Sequence, residues 1–243
     1  MEKGPDKVAV ITGGSRGLGL AIAKELQARG FALMLVGLEK ELTQKVRREM
    51  TDEPEVRYLS GDITLPGTAQ EIARVVNQHF GRLDLLVNNA GIFMMGGIIE
   101  FSSEDWDRIM SVNCKGAFLV TKHCVDLLKK SEGQIVFINS VGGRQGLAQL
   151  CGYSASKFAL LGLADSLRLE LKPDKIRVTS IFPHNMNSAG EMIGGADPKR
   201  WQMIETADVA RMVGEVADSP RHVQIPEIVI YPRSTEISKQ ETD

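Results

Sequence analysis

The sequence is poor in cysteine, and its cysteines follow no pattern that indicates a disulfide framework or a metal site. There are three of them, Cys114, Cys124 and Cys151. An odd number excludes complete pairing, and the spacing matches neither a zinc motif nor a redox pair. We therefore expect three small, buried side chains in a protein of a reducing compartment.

Long apolar runs and an excess of charge of one sign are also lacking. The 29 Lys and Arg residues nearly balance the 31 Asp and Glu residues, which leaves a net charge of −2. This balance gives no sign of a nucleic acid partner. Residues 1–7 lack the apolar run of a signal peptide, and no stretch of about 20 apolar residues could span a membrane. We expect a cytoplasmic protein with neither a membrane nor a nucleic acid as its partner.

What the sequence does contain is a regular alternation of short apolar runs and amphipathic stretches. Continuously apolar runs are typical of strands that are covered on both faces. The predicted strands are 8–11, 33–36, 56–60, 83–88, 135–139, 177–182 and 227–230. The predicted helices are 17–29, 41–50, 68–79, 106–130, 153–171 and 207–217.

Strands that alternate with helices predict an α/β fold. We expect a doubly wound, seven-stranded, mostly parallel sheet with helices on both faces. The 243 residues, 43% of them hydrophobic, suit one domain over residues 1–243. Residues 234–243 are polar, and we expect a frayed tail there. Residues 183–205 form a long connection that is either a substrate loop or a plain surface connection.

A glycine-rich turn links the first predicted strand to the first helix. Residues 12–19 read Thr-Gly-Gly-Ser-Arg-Gly-Leu-Gly. Glycines at such a junction let the backbone turn sharply and approach a ligand closely. The helix that follows presents unpaired N–H groups to a phosphate. The turn therefore predicts a dinucleotide site.

Tyr153 and Lys157 stand four residues apart, on one face if this stretch is helical. A nearby ammonium lowers the pKa of a tyrosine from about 10 toward neutrality. Such a tyrosine exchanges a proton with a carbonyl or alcohol oxygen at physiological pH. The alternative is that Tyr153 is an amphipathic core residue and Lys157 a solvated charge.

Several further motifs follow one another in order along the chain. The glycines are spaced Gly-x3-Gly-x-Gly after a Thr, and Asn-Asn-Ala-Gly stands at 88–91. Later positions of the same order are Asn113, Ser140, Tyr153, Lys157 and Pro183. Together these motifs resemble the short-chain dehydrogenase/reductase family over nearly the whole chain. The resemblance implies a Rossmann fold and an NAD(P)-dependent oxidoreductase acting on a carbonyl compound or a secondary alcohol.

The resemblance also implies roles for four catalytic residues. Tyr153 would exchange the proton, and Ser140 would donate a hydrogen bond to the substrate oxygen. Lys157 would lower the pKa of Tyr153 and bind the nicotinamide ribose, and Asn113 would support a water chain to solvent. From the residues alone, Ser140 and Asn113 could instead be a turn residue and a helix cap.

A larger set of residues is implied to bind the cofactor. Asp62 and Ile63 would contact adenine, although Asp62 could instead cap a turn. Asn88 either supports the site or ties strands together. The implied set is Gly13, Ser15, Arg16, Gly17, Leu18, Gly19, Asp62, Ile63, Asn89, Ala90, Gly91, Tyr153, Lys157, Pro183, Met186 and Ser188.

The end of the second predicted strand favours NADP over NAD. An NAD site usually has an acid there, and Gly37 takes that place. Arg16 could pair with the extra phosphate of NADP, or it could be a solvated charge. Two neighbours complicate this prediction, because Leu38 replaces a second arginine common in NADP-using relatives and Glu39 could reach a ribose.

The substrate end departs from the family pattern. His184 follows Pro183 where the family usually has glycine, and it could contact substrate, titrate near the carbonyl or face solvent. Arg144 could meet an anionic substrate or lie exposed. An adaptable apolar pocket could be lined by Met94, Met95, Leu147, Leu150, Met186 and Met192. The resemblance is closest in style to 3-oxoacyl-thioester reductases, which leaves general ketone reductases open.

Two other kinds of function remain as alternatives. The chain could be a non-catalytic dinucleotide sensor or a structural subunit, although retention of both Tyr153 and Lys157 argues against the sensor. The family resemblance further implies a homodimer or homotetramer, built by pairing of long helices. No metal site is expected.

Overall fold

The computed structural model describes residues 5–51, 53–187 and 203–233. Predictions for Ser188, for most of the 183–205 connection and for the 234–243 tail fall outside these residues. The strands are β1 Val8–Thr12, β2 Ala32–Gly37, β3 Val56–Ser60, β4 Leu85–Asn88, β5 Gln134–Ile138, β6 Arg177–Pro183, β7 Met186–Asn187, β8 Ile204–Glu205 and β9 Glu227–Ile230. The α-helices are α1 Gly17–Ala28, α2 Gln44–Glu49, α3 Pro66–His79, α4 Ser103–Met110, α5 Ala117–Ser131, α6 Cys151–Glu170 and α7 Thr206–Ala217.

Seven strands form one parallel sheet in the order β3-β2-β1-β4-β5-β6-β9. The predicted doubly wound α/β fold is thereby confirmed, with every described pair of the large sheet parallel. The order of the strands reverses between β1 and β4, which pair with each other at the centre of the sheet. At such a switch point the loops leave in opposite directions, and a crevice opens at the carboxyl ends of the strands.

The apolar runs became strands because both faces of the sheet are covered. Helices α3, α5 and α6 bury side chains such as Ile72, Val120 and Leu160 on one face. Helices α1 and α7 bury side chains such as Ile22 and Val213 on the other. Two apolar layers fix the sheet between them, so its loops project from a rigid frame.

Arg29 joins the two helices of the second layer. Its guanidinium donates to Glu215 at 2.8 Å and to Asp218 at 2.7 Å, and its Nε donates to Glu25 at 2.9 Å. A side chain at Gly214 of α7 would collide with this guanidinium. The close approach of α1 to α7 therefore depends on both residues.

Several predicted boundaries differ from the structure, and two of the differences bear on the site. Strand β4 begins at Leu85 rather than residue 83, because the Asp84 carboxylate accepts from the Val8 N–H at 2.8 Å and from Arg82. The predicted single helix over 106–130 is α4 followed by a π-helical turn, Ser111–Gly116, and then α5. Wider turns of this kind are frequent at functional sites.

All three cysteines were predicted to be buried, and this is confirmed for one of them. Cys124 is buried, whereas Cys114 and Cys151 are half-buried, and all three are free thiols. Burial raises the pKa of the Cys124 thiol to about 12. In the described part of the chain no helix has the length and apolarity to cross a membrane, and no group of three potential metal ligands forms.

Candidate active site

The glycine turn links β1 to α1 and lies at the switch point between β1 and β4. Gly13 and Gly17 have φ angles of 64° and 52°, in the left-handed region that favours glycine. A Cβ at Gly19 would collide with the Gly13 carbonyl oxygen. This backbone geometry explains the glycine spacing, because the first helical turn has to press against the loop.

The segment 88–91, at the carboxyl end of the neighbouring strand β4, holds the glycine turn in place through hydrogen bonds. The Asn89 side chain donates to the carbonyl oxygens of Thr12 at 2.9 Å and Gly13 at 3.2 Å. The Thr12 hydroxyl accepts from the N–H groups of Asn89 and Ala90, both at 3.0 Å. Asn88 turns away and donates to the Thr121 hydroxyl at 3.0 Å, so it ties β4 to α5.

The start of α1 suits a phosphate. Its first turn contains Gly17, Leu18, Gly19 and Leu20, and the cap residue Arg16 makes no side-chain hydrogen bond to its amides among the described residues. No carboxylate in this turn competes for the N–H groups or the positive end of the helix dipole. The turn therefore fits the pyrophosphate of a dinucleotide.

A cluster of polar side chains closes the end of this turn. Ser15 donates to the Glu39 carboxylate at 2.7 Å, and the Tyr58 hydroxyl donates to the Glu39 carbonyl oxygen at 2.7 Å and to its carboxylate at 3.3 Å. A Cβ at Gly37 would lie 2.8 Å from both the Glu39 carboxylate and the Tyr58 hydroxyl. Glu39 therefore fills the space that an acid at position 37 would have used.

Electrostatics favour ionised Glu39 in this cluster. The hydrogen bond from Ser15 holds the pKa of Glu39 below its usual value, and the Arg16 charge lowers it further. Burial and the Glu39 charge raise the pKa of Tyr58 to about 12. A cleft of about 760 Å³ opens beside the cluster and is lined partly by Ser15, Arg16 and Glu39.

Asp62 and Ile63 follow β3, as the sequence suggested. Asp62 accepts from the Thr64 N–H at 2.9 Å, which is the turn-capping role considered as an alternative. Ile63 is buried and packs against Gly116, where a Cβ would collide with it. The structure thus gives Asp62 a local role at the mouth of the crevice.

Ser140 and Tyr153 come together at the opposite end of the crevice. Ser140 follows β5, and its hydroxyl accepts from the Gly142 N–H at 3.1 Å. Tyr153 lies in the first turn of α6, with its ring against Gly142. Burial raises the pKa of Tyr153, and a hydrogen bond with the Ser140 hydroxyl partly offsets that rise.

Lys157 lies one turn further along α6 and is buried. Its ammonium donates to the Ile138 carbonyl oxygen at 2.9 Å and stands 5.8 Å from the centre of the Tyr153 ring. Burial lowers the pKa of Lys157 to about 8. The raised pKa of Tyr153 runs opposite to the lowering expected from Lys157, because burial dominates at both groups and the ammonium is directed at the Ile138 carbonyl oxygen.

Asn113 lies within the π-helical turn rather than at a helix end. Its side chain accepts from the Ile92 N–H at 2.8 Å and donates to the Ile92 carbonyl oxygen at 3.0 Å and to Ser156 at 3.0 Å. A Cβ at Gly91 would lie 3.2 Å from its side-chain oxygen. Asn113 therefore connects the loop after β4 to α6, and the helix-cap alternative is wrong.

The remaining sequence candidates lie around β6. Pro183 ends β6 and Met186 pairs with Ile204 in the short β7–β8 ladder. The half-buried His184 packs its ring 5.2 Å from that of Tyr231. Arg144 forms an ion pair with Glu227 at 2.8 Å and covers the Phe182 ring, so it is engaged within the protein.

Two parts of the site were missed from the sequence. Phe93 places its ring 5.0 Å from that of Tyr153, in an edge-to-face arrangement. Tyr58 completes the Ser15–Glu39 cluster from β3. The position of Phe93, two residues after the glycine of 88–91, was an available signal. Tyr58 carried none, because alternation along β3 says nothing about its partner.

The arrangement defines a class of protein. A glycine turn at the switch point, with a hydroxyl pair and a buried ammonium at the other end of the crevice, suits transfer of a hydride and a proton between a dinucleotide and a carbonyl compound. Residues 7–196 match the family model described as short chain dehydrogenase. The chain belongs to this family, and it is an oxidoreductase.

Similar proteins cover nearly the full length of the chain. An uncharacterised oxidoreductase of Staphylococcus epidermidis is 33% identical over 96% of this chain and 100% of its own. One from Staphylococcus aureus is 31% identical over 93% of this chain and 97% of its own. The solved alcohol dehydrogenase of the archaeon Thermococcus sibiricus, complexed with 5-hydroxy-NADP, is 28% identical, with a TM-score of 0.86 over 95% of this chain and 98% of its own.

Proposed function

We propose that the protein is an NADP-dependent reductase of ketones, or in the reverse direction a dehydrogenase of secondary alcohols. The observation that carries the proposal is the meeting of Ser140, Tyr153 and Lys157 at the carboxyl ends of the strands. Ser140 follows β5 whereas Tyr153 and Lys157 lie one turn apart on α6, so the fold brings the hydroxyl of one element to the phenol and ammonium of another. Reductases of 3-oxoacyl thioesters and of simpler ketones both fit this chemistry.

Each residue has a proposed task. The Tyr153 hydroxyl gives its proton to the oxygen of the carbonyl group, or takes one from the alcohol. Ser140 donates a hydrogen bond to the same oxygen as negative charge develops on it. Lys157 supplies the positive charge that lets Tyr153 release its proton, which requires its ammonium to leave Ile138 for the ribose and the phenol. When bound, the nicotinamide supplies the hydride that adds to the carbonyl carbon.

Asn113 has a proposed task as well. It fixes the Ile92 backbone beside Gly91 and so shapes the wall next to Lys157. A water chain between Lys157 and solvent would restore the proton that Tyr153 gives up. The π-helical turn around Asn113 supports this task, because such turns are frequent at functional sites.

Arg16 and Gly37 support NADP as the cofactor. Arg16 stands in the glycine turn, where it can pair with the 2′-phosphate, and β2 ends without an acid at position 37. The archaeal alcohol dehydrogenase, with its 5-hydroxy-NADP, supports the same choice. Glu39 opposes it, since its carboxylate holds Ser15 in the same corner. We propose that NADP is preferred by a narrow margin.

Replacement of Tyr153 by Phe tests the proposed function. We expect turnover of an accepted ketone, followed by NADPH absorbance, to fall by about 10²–10⁴-fold, because the proton donor is removed. The dissociation constant of NADPH should change by less than about threefold, since only the hydroxyl is lost. Lys157→Ala should weaken dinucleotide binding as well as turnover.

The outcomes separate this proposal from its alternative. Retained turnover in Tyr153→Phe would rule out Tyr153 as the proton donor. Dinucleotide binding by the wild-type protein with no turnover of any carbonyl compound would instead identify a non-catalytic sensor.

A further inference from the structure

Phe93 lies directly beside the ring that carries the proposed proton donor. Its ring centre is 5.0 Å from that of Tyr153, with the planes at 69°. Such edge-to-face contact fixes the orientation of both rings. Phe93 is nevertheless 45% exposed, so part of its ring remains uncovered beside Tyr153. A carbonyl compound that reaches the Tyr153 hydroxyl comes within reach of this open part.

Apolar side chains extend from Phe93 along two loops that are joined together. The Gly96 N–H donates to the Gln149 carbonyl oxygen at 2.9 Å, which links the loop after β4 to the loop before α6. Met95 on the first loop and Leu147 on the second are both exposed. The loop that carries Phe93 and the loop that leads into α6 are therefore joined, and both expose apolar side chains.

Arg144 of the second loop and Lys157 of α6 both have partners within the protein. Arg144 is engaged by Glu227 at 2.8 Å, and the Lys157 ammonium is buried on Ile138. The charged side chain of the first loop is Glu100, whose carboxylate lies beside Gly97. A carboxylate at this position repels a negatively charged substrate and leaves a neutral one unaffected.

We propose that Phe93 selects the substrate, and that the substrate is an uncharged ketone, or the matching secondary alcohol, with an aromatic or bulky apolar group next to the carbonyl carbon. The substituent packs on the open part of the Phe93 ring while the carbonyl oxygen faces Tyr153. This inference rests on the proposed function, because it concerns the same site.

The experiment compares three ketones in the full-length enzyme with NADPH. Acetophenone is neutral and aromatic, 4-acetylbenzoate adds only a negative charge, and butanone lacks the ring. We expect kcat/KM for acetophenone to exceed that of each of the others by about tenfold or more. Butanone has no ring to pack on Phe93, and 4-acetylbenzoate brings a negative charge that has no partner there.

Variants then assign the effect to Phe93. Phe93→Ala should lower kcat/KM for acetophenone about tenfold, mainly through KM, and that for butanone by less than about threefold. Phe93→Leu should recover part of the loss because it restores apolar surface. Phe118→Ala is the control: it removes a ring on α5 that is also 45% exposed, and it should leave kcat/KM for all three ketones unchanged. Melting temperatures and the NADPH dissociation constant check that each variant is folded.

Each outcome decides the inference. If 4-acetylbenzoate is reduced as well as acetophenone or better, the substrate is not restricted to neutral ketones. If both Phe93 variants lose the same kcat/KM with all three ketones, Phe93 has a structural role and does not select the substrate. If the wild-type enzyme binds NADPH but reduces no ketone at all, the proposed function fails and the inference with it. A selective loss for acetophenone supports both.

Discussion

At the scale of single residues, the buried ammonium of Lys157 is the costliest feature of the site. It is enclosed at the end of β5 with the Ile138 carbonyl oxygen as its hydrogen-bond partner. Burial disfavours the charged form and brings its pKa from 10.5 down to about 8. A group held in this way destabilises the folded protein and is retained for what it does there.

Replacement of Lys157 by Met should therefore stabilise the dinucleotide-free protein while it abolishes turnover. We expect the free energy of unfolding at pH 7 to rise by about 1–3 kcal/mol, because an apolar side chain of similar length replaces a buried charge. Chemical denaturation of both proteins measures the difference.

The pH dependence of this difference has a definite sign. Below pH 8 both the folded and the unfolded wild-type chains hold the proton, and the cost of the buried charge is complete. Between pH 8 and 10.5 the folded chain releases the proton before the unfolded chain does, so wild-type stability rises relative to the variant. The gap should shrink over this window. A destabilised variant, or a gap that does not depend on pH, would contradict the prediction.

At the scale of elements, the ends of β2 and β3 and the start of α1 meet at Glu39. Ser15 comes from the turn before α1, Glu39 follows β2 and Tyr58 belongs to β3. One carboxylate thus connects three elements at the place where the adenosine end of a dinucleotide would lie. The negative charge of Glu39 favours the adenosine ribose hydroxyls of NAD and opposes the 2′-phosphate of NADP.

Replacement of Glu39 by Gln should shift the cofactor preference toward NADP. Removal of one charge a few Å from a phosphate at a partly exposed site changes binding by about 1–2 kcal/mol, or roughly 5- to 30-fold. Calorimetric titration with adenosine 2′,5′-bisphosphate and with AMP measures this effect without turnover. Glu71→Gln carries the same charge change at an exposed ion pair with Arg74 on α3, outside the cleft, and serves as the control.

The comparison between the two ligands decides the role of Glu39. Tighter binding of the bisphosphate in Glu39→Gln only, with AMP unchanged or weaker, supports the role of the carboxylate. Equal gains in both glutamine variants would mean that overall charge alone is responsible.

At the scale of the whole molecule, two neighbouring helices expose large apolar side chains. Trp106 on α4, with Phe158 and Leu169 on α6, are exposed, and α4 packs against α6. Leu169 is 74% exposed. Exposed apolar groups of this size on neighbouring helices are typical of an interface. We propose that a second copy of the chain covers them in a homodimer or homotetramer.

Light scattering coupled to gel filtration tests this proposal. The wild-type mass should be two or four times the 26.6 kDa of one chain. Phe158→Glu should have the mass of a single chain, because it places a charge in the apolar interface. Ile99→Glu is the control, since Ile99 is 91% exposed on the loop before α4, outside this helix surface. A wild-type protein that elutes as a single chain would exclude the interface.

Much of the fold could be predicted from the chain, and the reason is local. Continuous apolar runs such as 8–11 and 33–36 have no polar face, so they fit only strands covered on both sides. Helix continuity was less predictable. The stretch 106–130 keeps a helical pattern throughout, yet it contains a π-helical turn, within which Asn113 bonds to the distant Ile92 backbone.

The identities and order of the Ser, Tyr and Lys residues, the glycine spacing and the strand–helix alternation were determined by the sequence itself, because they depend on spacing along the chain. The tertiary structure decided the rest. It filled the empty position at Gly37 with the Glu39 carboxylate, placed Phe93 against Tyr153 and raised the pKa of Tyr153. Burial and contacts between distant segments set these properties, and no local pattern encodes which surfaces will meet.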